Sequence, residues 1–215
     1  AEPTGAVTGQ AEGQEIAPFT EGSLIVTGAV VNGSGGVVPA GLVVELTGYD
    51  GMTEVVRQEI PVGEDGSYAS AEIELLPGRT FIASLTYNGF TYNSDVYHNL
   101  GEPLAGPLDL PITIFETTND TSALRADRMH VFFDFTDPEF VQVAELFLLN
   151  NTGTRVIVAS QQGGGVASFD LPAEATGLQF QDGVLGGRYI QTETGFADTA
   201  VIPPGSGSQV LFAYN

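Results

Sequence analysis

The chain contains no cysteine, no lysine and no tryptophan, and only two histidines, in 215 residues. Without cysteine there is no disulfide, thiol nucleophile, cysteine-attached haem or iron–sulfur ligation. Without lysine there is no Schiff-base chemistry and no Lys–Asn isopeptide cross-link. His98 and His130 are too few for a typical His-rich zinc site. A hydrogen-bonded structural role is expected of His130. Positive charge is scarce too: six arginines stand against 27 acids, for a net charge of -21. Only Arg125 and Arg128 are close in sequence. Nucleic acid is therefore excluded as a partner, because its binding needs clustered cations to displace counterions. An anionic membrane surface is disfavoured for the same reason. No apolar run approaches the roughly 18–20 residues of a membrane span. No Gly-x-Ser-x-Gly elbow occurs, and the Gly163–Gly165 run lacks the Lys-Ser/Thr and helix of a phosphate loop.

What the chain does have is turn residues, 28 Gly and 12 Pro, and enough hydrophobic residues, 42%, to build cores. Between the turn signals lie short β-branched and aromatic stretches. Stretches 23–33, 42–50, 53–62, 67–78, 79–89 and 90–99 predict six strands at regular spacing. Asp65-Gly66 and Asn88-Gly89 predict hairpins with type I′ turns. Segment 100–111, rich in Pro and Gly, reads as a linker or a last edge strand. Strands follow at 112–118, 128–136, 140–150, 154–160, 166–172, 176–180, 187–193, 196–203 and 208–215. From 128 onward they form a second sandwich of about seven short strands. In 128–136, Met129, Val131, Phe133 and Phe135 share one face, and Arg128, His130, Phe132 and Asp134 the other. Residues 138–149 are apolar on both faces, which favours a buried strand over a helix begun at Pro138.

At Gly28-Ala29-Val30, Val44-Glu45-Leu46, Asp65-Gly66-Ser67-Tyr68 and Pro77-Gly78 the chain resembles the carboxypeptidase regulatory-like and transthyretin-like β-sandwich modules of bacterial surface proteins. The likeness covers about a third of the chain, residues 23–99. It implies a stalk, adhesion or scaffold unit, with no catalytic residues to carry over. The long aromatic hairpin after Pro77-Gly78 departs from that pattern. The second half looks Ig-like at the level of strand count, an analogy of fold.

Three groups of residues invite a functional reading. Asp134, Asp137 and Glu139 stand close together and could supply oxygens to a calcium ion; the alternative is a solvated acidic turn, with no cofactor at all. Tyr87, Phe90, Tyr92 and Tyr97 could form a sugar-stacking platform, or simply pair across a hairpin as good strand formers. The leader opens with Thr4-Gly5-Ala6-Val7, echoed at Thr27-Gly28-Ala29-Val30. Val7, Ile16 and Phe19 are its apolar residues for docking on a sheet edge.

Together these predict an all-β, non-enzymatic chain. A leader (1–22) precedes two consecutive sandwiches, Ig-like or transthyretin-like, at 23–110 and 111–215. The start at Ala1-Glu2-Pro3 suits a mature end left by signal cleavage, which with the acidity predicts export to the cell surface or outside. The expected role is structural: protein–protein contact, with self as partner, and a filament built by strand addition from the leader. A carbohydrate-binding or adhesion module is the alternative. Three Asn-x-Ser/Thr matches, at Asn32, Asn119 and Asn150, are at the frequency chance would give.

Overall fold

The computed structural model describes residues 22–101, 104 and 106–215. The leader, with Val7, Ile16 and Phe19, lies outside them. The architecture is all-β, and no helix occurs among the described residues.

The first unit contains β1 (Gly22–Leu24), β2 (Val26–Asn32), β3 (Val43–Asp50), β4 (Thr53–Pro61), β5 (Ser67–Ala69), β6 (Ile73–Leu75), β7 (Arg79–Tyr87), β8 (Phe90–Asn93), β9 (Tyr97–His98), β10 (Leu108–Asp109) and β11 (Ile112–Ile114). One sheet runs β4-β3-β7-β8, with β9 also on β7. The other is built on β2, which pairs antiparallel with β5 and parallel with β10 and β11. Side chains alternate across each strand, so β2 buries Val26 and Val30 while β7 buries Phe81, Ala83 and Leu85. Arg79 starts β7 and is only 5% exposed. It survives burial because Nε and Nη2 each donate to Asp50 at 2.8 Å, and Nη1 donates to the Glu74 carbonyl at 2.9 Å. Tyr68 lies against Gly28, where any side chain would collide with its ring, and donates its hydroxyl to the Leu110 carbonyl.

The two predicted hairpin turns fare differently. At Asn88-Gly89 both residues have positive φ, 51° and 82°, and Tyr87 faces Phe90, as a type I′ hairpin requires. At Asp65-Gly66 only Gly66 turns positive, at 84°. The Gly66 amide donates to Gly63, but the chain then leaves β4 and pairs β5 with β2 in the other sheet. The dipeptide makes a crossover turn, which lays Tyr68 beside Gly28 and buries it in the first core.

The expected division at 110/111 also shifts. Residues 108–114 run as one edge strand along β2, interrupted at Pro111, which has no amide to donate. Ile112 and Ile114 are buried in the first core, so the strand expected to open the second unit completes the first.

The second unit holds β12 (Thr117–Thr118), β13 (Leu124–Asp134), β14 (Gln142–Asn151), β15 (Val156–Ile157), β16 (Ala167–Asp170), β17 (Gln179–Phe180), β18 (Tyr189–Gln191), β19 (Gly195–Asp198) and β20 (Gly205–Tyr214). Residues 138–149 are strand rather than helix from Gln142 onward. The sheets are β13-β14-β20-β17 and β16-β19-β18, with the short β12-β15 pair beside them. Between the two larger sheets sits an aromatic core centred on Phe196, which is fully buried. Its ring centroid lies 4.8–5.5 Å from those of Phe169, Phe180, Tyr189 and Phe212. Asp198 is buried beside this core and takes both Arg188 Nε (3.0 Å) and Nη2 (2.7 Å).

Glu116 stands where one core gives way to the other. Its carboxylate accepts from the Tyr87 hydroxyl at 2.8 Å, from Asn32 at 3.1 Å and from Asn88 at 3.5 Å. Its amide donates to the Ser34 hydroxyl, which in turn donates to the Thr154 carbonyl at 2.6 Å. The Tyr87 hydroxyl first, then the two Asn amides, hold the Glu116 carboxyl below its ordinary range.

Two outcomes follow from this packing. Phe196→Ala should cost about 3–5 kcal/mol in urea unfolding followed by circular dichroism, because the rings around it cannot collapse into the void. A cost under about 1 kcal/mol would mean the hub is not central. Glu116 has a lowered folded pKa, so its contribution is fully present above the unfolded value near 4.3 and fades as pH falls through the folded one. The melting-temperature gap between wild type and Glu116→Gln should therefore be widest near neutral pH and close toward pH 3. A gap that does not change with pH would exclude that role.

Candidate docking surface

The stretch Arg128-Met129-His130-Val131-Phe132-Phe133-Asp134 forms the regular part of β13, past a bulge at Ala126/Arg128. Its rich β-branched and aromatic content makes it a strand, and alternation splits it into two faces. The register sets Met129 beside Phe147 and Phe133 beside Val143 on the core-side face. Phe147 and Val143 pack against the core, yet Met129 is 49% exposed, Phe133 60% and Phe135 72%. The cause is a mismatch of sheets. β13, with 11 residues, is the outermost strand of its sheet, whereas the opposing β16, β19 and β18 have 4, 4 and 3 residues. Phe196 draws the small sheet over β14, β20 and β17, and β13 overhangs. The two faces expected along 128–136 by alternation are present, and beyond Leu124 the strand is exposed on both.

The other face of β13 carries His130 and Phe132, whose rings stack at 6.4 Å. Phe132 is 58% exposed and lies beside Ala144, while His130 lies beside Leu146. Leu211 and Ala213 of β20 continue this apolar face. Where β13 begins, a cleft of about 550 Å³ opens between it and β16, reaching Phe147, Phe169 and Phe212. Along the far side of β13 no strand pairs, among the described residues. Its outward backbone groups are left to solvent.

Charge singles out the same strand. Arg57 pairs with Glu45 and Glu54, Arg79 with Asp50, and Arg188 with Asp198. Arg155 acts on Glu116. Among the described residues the Arg125 side chain donates only to the Ser122 and Leu124 carbonyls, and the Arg128 side chain makes no hydrogen bond or ion pair. Asp134 accepts from the Thr136 amide at 2.8 Å and from its hydroxyl, both on Oδ1, leaving Oδ2 open. The Thr136 hydroxyl and amide hold its carboxyl below the usual range, so it is ionised at neutral pH. The contrast is β4, also an outer strand, which carries Glu54, Arg57, Glu59 and Pro61 and ties its arginine into ion pairs. Charge and proline are how sheet edges are kept from pairing. The five residues Met129 to Phe133 contain no charged carboxylate, Lys, Arg or Pro.

The other sites foreseen in the sequence fall elsewhere. Tyr87, Tyr92 and Tyr97 pack against the first core, and Phe90 is half-buried across the hairpin from Tyr87. The Tyr87 hydroxyl is held by Glu116, and that of Tyr92 donates to the Phe115 carbonyl at 3.1 Å. Asp134 ends β13, and Asp137 and Glu139 lie in the turn that follows, where Asp137 Oδ1 accepts from the Glu139 amide at 2.8 Å. Among the described residues no three His, Asp or Glu side chains gather closely enough to hold a metal ion. His98 Nδ1 meets the Thr80 hydroxyl at 2.7 Å. No described helix is long and apolar enough to cross a membrane.

No protein-family model matches the chain. No curated protein matches it. A solved structure of a DUF3823 family protein from Parabacteroides merdae is similar over 62% of this chain, at 14% identity and a TM-score of 0.28. The chain spans 61% of that protein.

Because the acidic turn spends Asp134 Oδ1 and Asp137 Oδ1 on its own backbone, millimolar calcium should leave the melting temperature unchanged. A rise that Asp137→Asn abolishes would place an ion there.

Proposed function

We propose that this is a non-enzymatic, exported structural protein of the cell surface or matrix, which makes protein–protein contacts by adding a strand to a sheet edge. One observation carries the reading: β13, 11 residues long, leaves one edge unpaired among the described residues and exposes Met129, Val131, Phe132 and Phe133. Strand addition takes its affinity from backbone hydrogen bonds and its specificity from alternate side chains. β13 offers both. The resemblance of residues 23–99 to carboxypeptidase regulatory-like modules supports a stalk or scaffold setting. The carbohydrate reading draws less support, because the Tyr87 and Tyr92 hydroxyls are already bonded within the chain.

Size-exclusion chromatography with light scattering tests this. The wild-type protein should associate as its concentration rises. Phe132→Glu combined with Phe133→Glu should stay monomeric with an unchanged circular dichroism spectrum. Two copies of net charge -21 repel at long range. Association should therefore strengthen as ionic strength rises from about 0.01 M to about 1 M, where the screening length falls from about 30 Å to about 3 Å. A wild-type monomer at every concentration, or an unchanged assembly in the double variant, would overturn the proposal.

A further inference from the structure

The strand-addition reading leaves open which strand is added. We propose that the occupant of the β13 edge is β13 of a second copy, laid antiparallel about a two-fold axis through Val131; this rests on the reading above.

The sequence Arg128-Met129-His130-Val131-Phe132-Phe133-Asp134 is self-complementary when reversed. With the axis at Val131 and perpendicular to the sheet, residues whose numbers are equidistant from 131 face each other. Val131 then meets Val131 of the second copy. Met129 meets Phe133, and His130 meets Phe132, each twice. Arg128 meets Asp134 at both ends. Such directly opposed pairs have Cβ atoms about 4.5–5.5 Å apart, close enough for aromatic and opposite-charge pairs to stabilise the ladder.

The pairing matches what the structure leaves unsatisfied. Among the described residues the Arg128 guanidinium has no partner, and Asp134 Oδ2 is open. The axis keeps the core-side faces of both copies on the same side of the joined sheet. Met129, Val131 and Phe133 from each copy thereby form one apolar strip, with His130 and Phe132 doing the same on the other side. The interface is isologous, the commonest way for a chain to bind itself.

Register is specified by the charges. Moving the axis to His130 places Asp134 opposite Ala126 and Arg128 opposite Phe132. Moving it to Phe132 places Arg128 opposite Thr136. Only the axis at Val131 satisfies both ends. The bulge at Ala126/Arg128 lies just outside the paired stretch and ends it. The net charge adds direction: on a chain of -21, an arginine with no carboxylate partner among the described residues is a place where a second acidic copy is attracted rather than repelled.

Cysteine cross-linking on the full chain reads the register directly, because the chain has no cysteine of its own. Under mild oxidation Val131→Cys should form a disulfide-linked dimer. Met129→Cys alone should not, since its two copies sit about 13 Å apart along the strands, beyond the roughly 7 Å a disulfide spans. A mixture of Met129→Cys and Phe133→Cys should link. Charge exchange gives a second readout. Arg128→Asp and Asp134→Arg should each weaken self-association at least tenfold, and mixing the two should restore it, because each copy then supplies the charge the other lacks. If the Phe132/Phe133 double variant abolishes assembly yet Val131→Cys gives no dimer, the strand-addition reading stands and the partner strand proposed here is wrong. Loss of assembly on deleting residues 1–20 would likewise point to the leader as the added strand. A wild-type monomer removes both.

Discussion

The second sandwich is governed by unequal sheets. One sheet has three strands of ten or eleven residues, β13, β14 and β20, and the other has three of three or four. A small sheet can cover only part of a large one, and the aromatic cluster on Phe196 decides which part. Phe169, Phe180, Tyr189 and Phe212 gather around that ring, which fixes the cover over β14, β20 and β17. β13 is left outside. Its exposed Phe and Met side chains, its unpaired edge and the cleft at its start all follow from that geometry.

Charge is arranged to the same effect. An acidic chain with six arginines uses four of them against its own carboxylates. Two of these uses are bidentate with one partner buried, Arg79 with Asp50 and Arg188 with Asp198. Breaking such a pair leaves a charge stranded, so those arginines are committed to the fold. The two remaining arginines stand on β13. In the first unit the outer strand β4 is guarded by Glu54, Arg57, Glu59 and Pro61, so the exposure of β13 is a property of that strand and not of the whole chain.

Much of the fold was legible in the sequence, and the reasons are local. Short β-branched and aromatic stretches between turn signals located most strands, and 138–149, apolar on both faces, reads as a strand and forms β14 from Gln142. Stretches 23–33 and 67–78 each read as one strand but divide, into β1 and β2 and into β5 and β6. Asn88-Gly89 announced its hairpin because both residues tolerate positive φ. Long-range choices were not legible. The Asp65-Gly66 turn looks like a hairpin until β5 is seen paired with β2, Tyr68 beside Gly28. Ile112 and Ile114 read as the start of a new unit because parallel pairing with β2 leaves no local signal. At the candidate site, the shared face of Met129, Val131, Phe133 and Phe135 was evident from spacing. That the face meets no opposite sheet was not, since it depends on the lengths of β16, β18 and β19. The aromatics at Tyr87 and Tyr92 suggested a platform, but Glu116 and Phe115, from the distant link between β11 and β12, occupy their hydroxyls.

Self-association by strand addition requires that the free edge of β13 become a paired edge between copies. Amide hydrogen exchange of residues 128–134, compared at low and high protein concentration, reads this directly. If the edge pairs, amides at alternate positions, those directed away from β14, should slow at high concentration, while the amides bonded to β14 change little. Exchange that is the same at both concentrations along the whole strand would contradict the account.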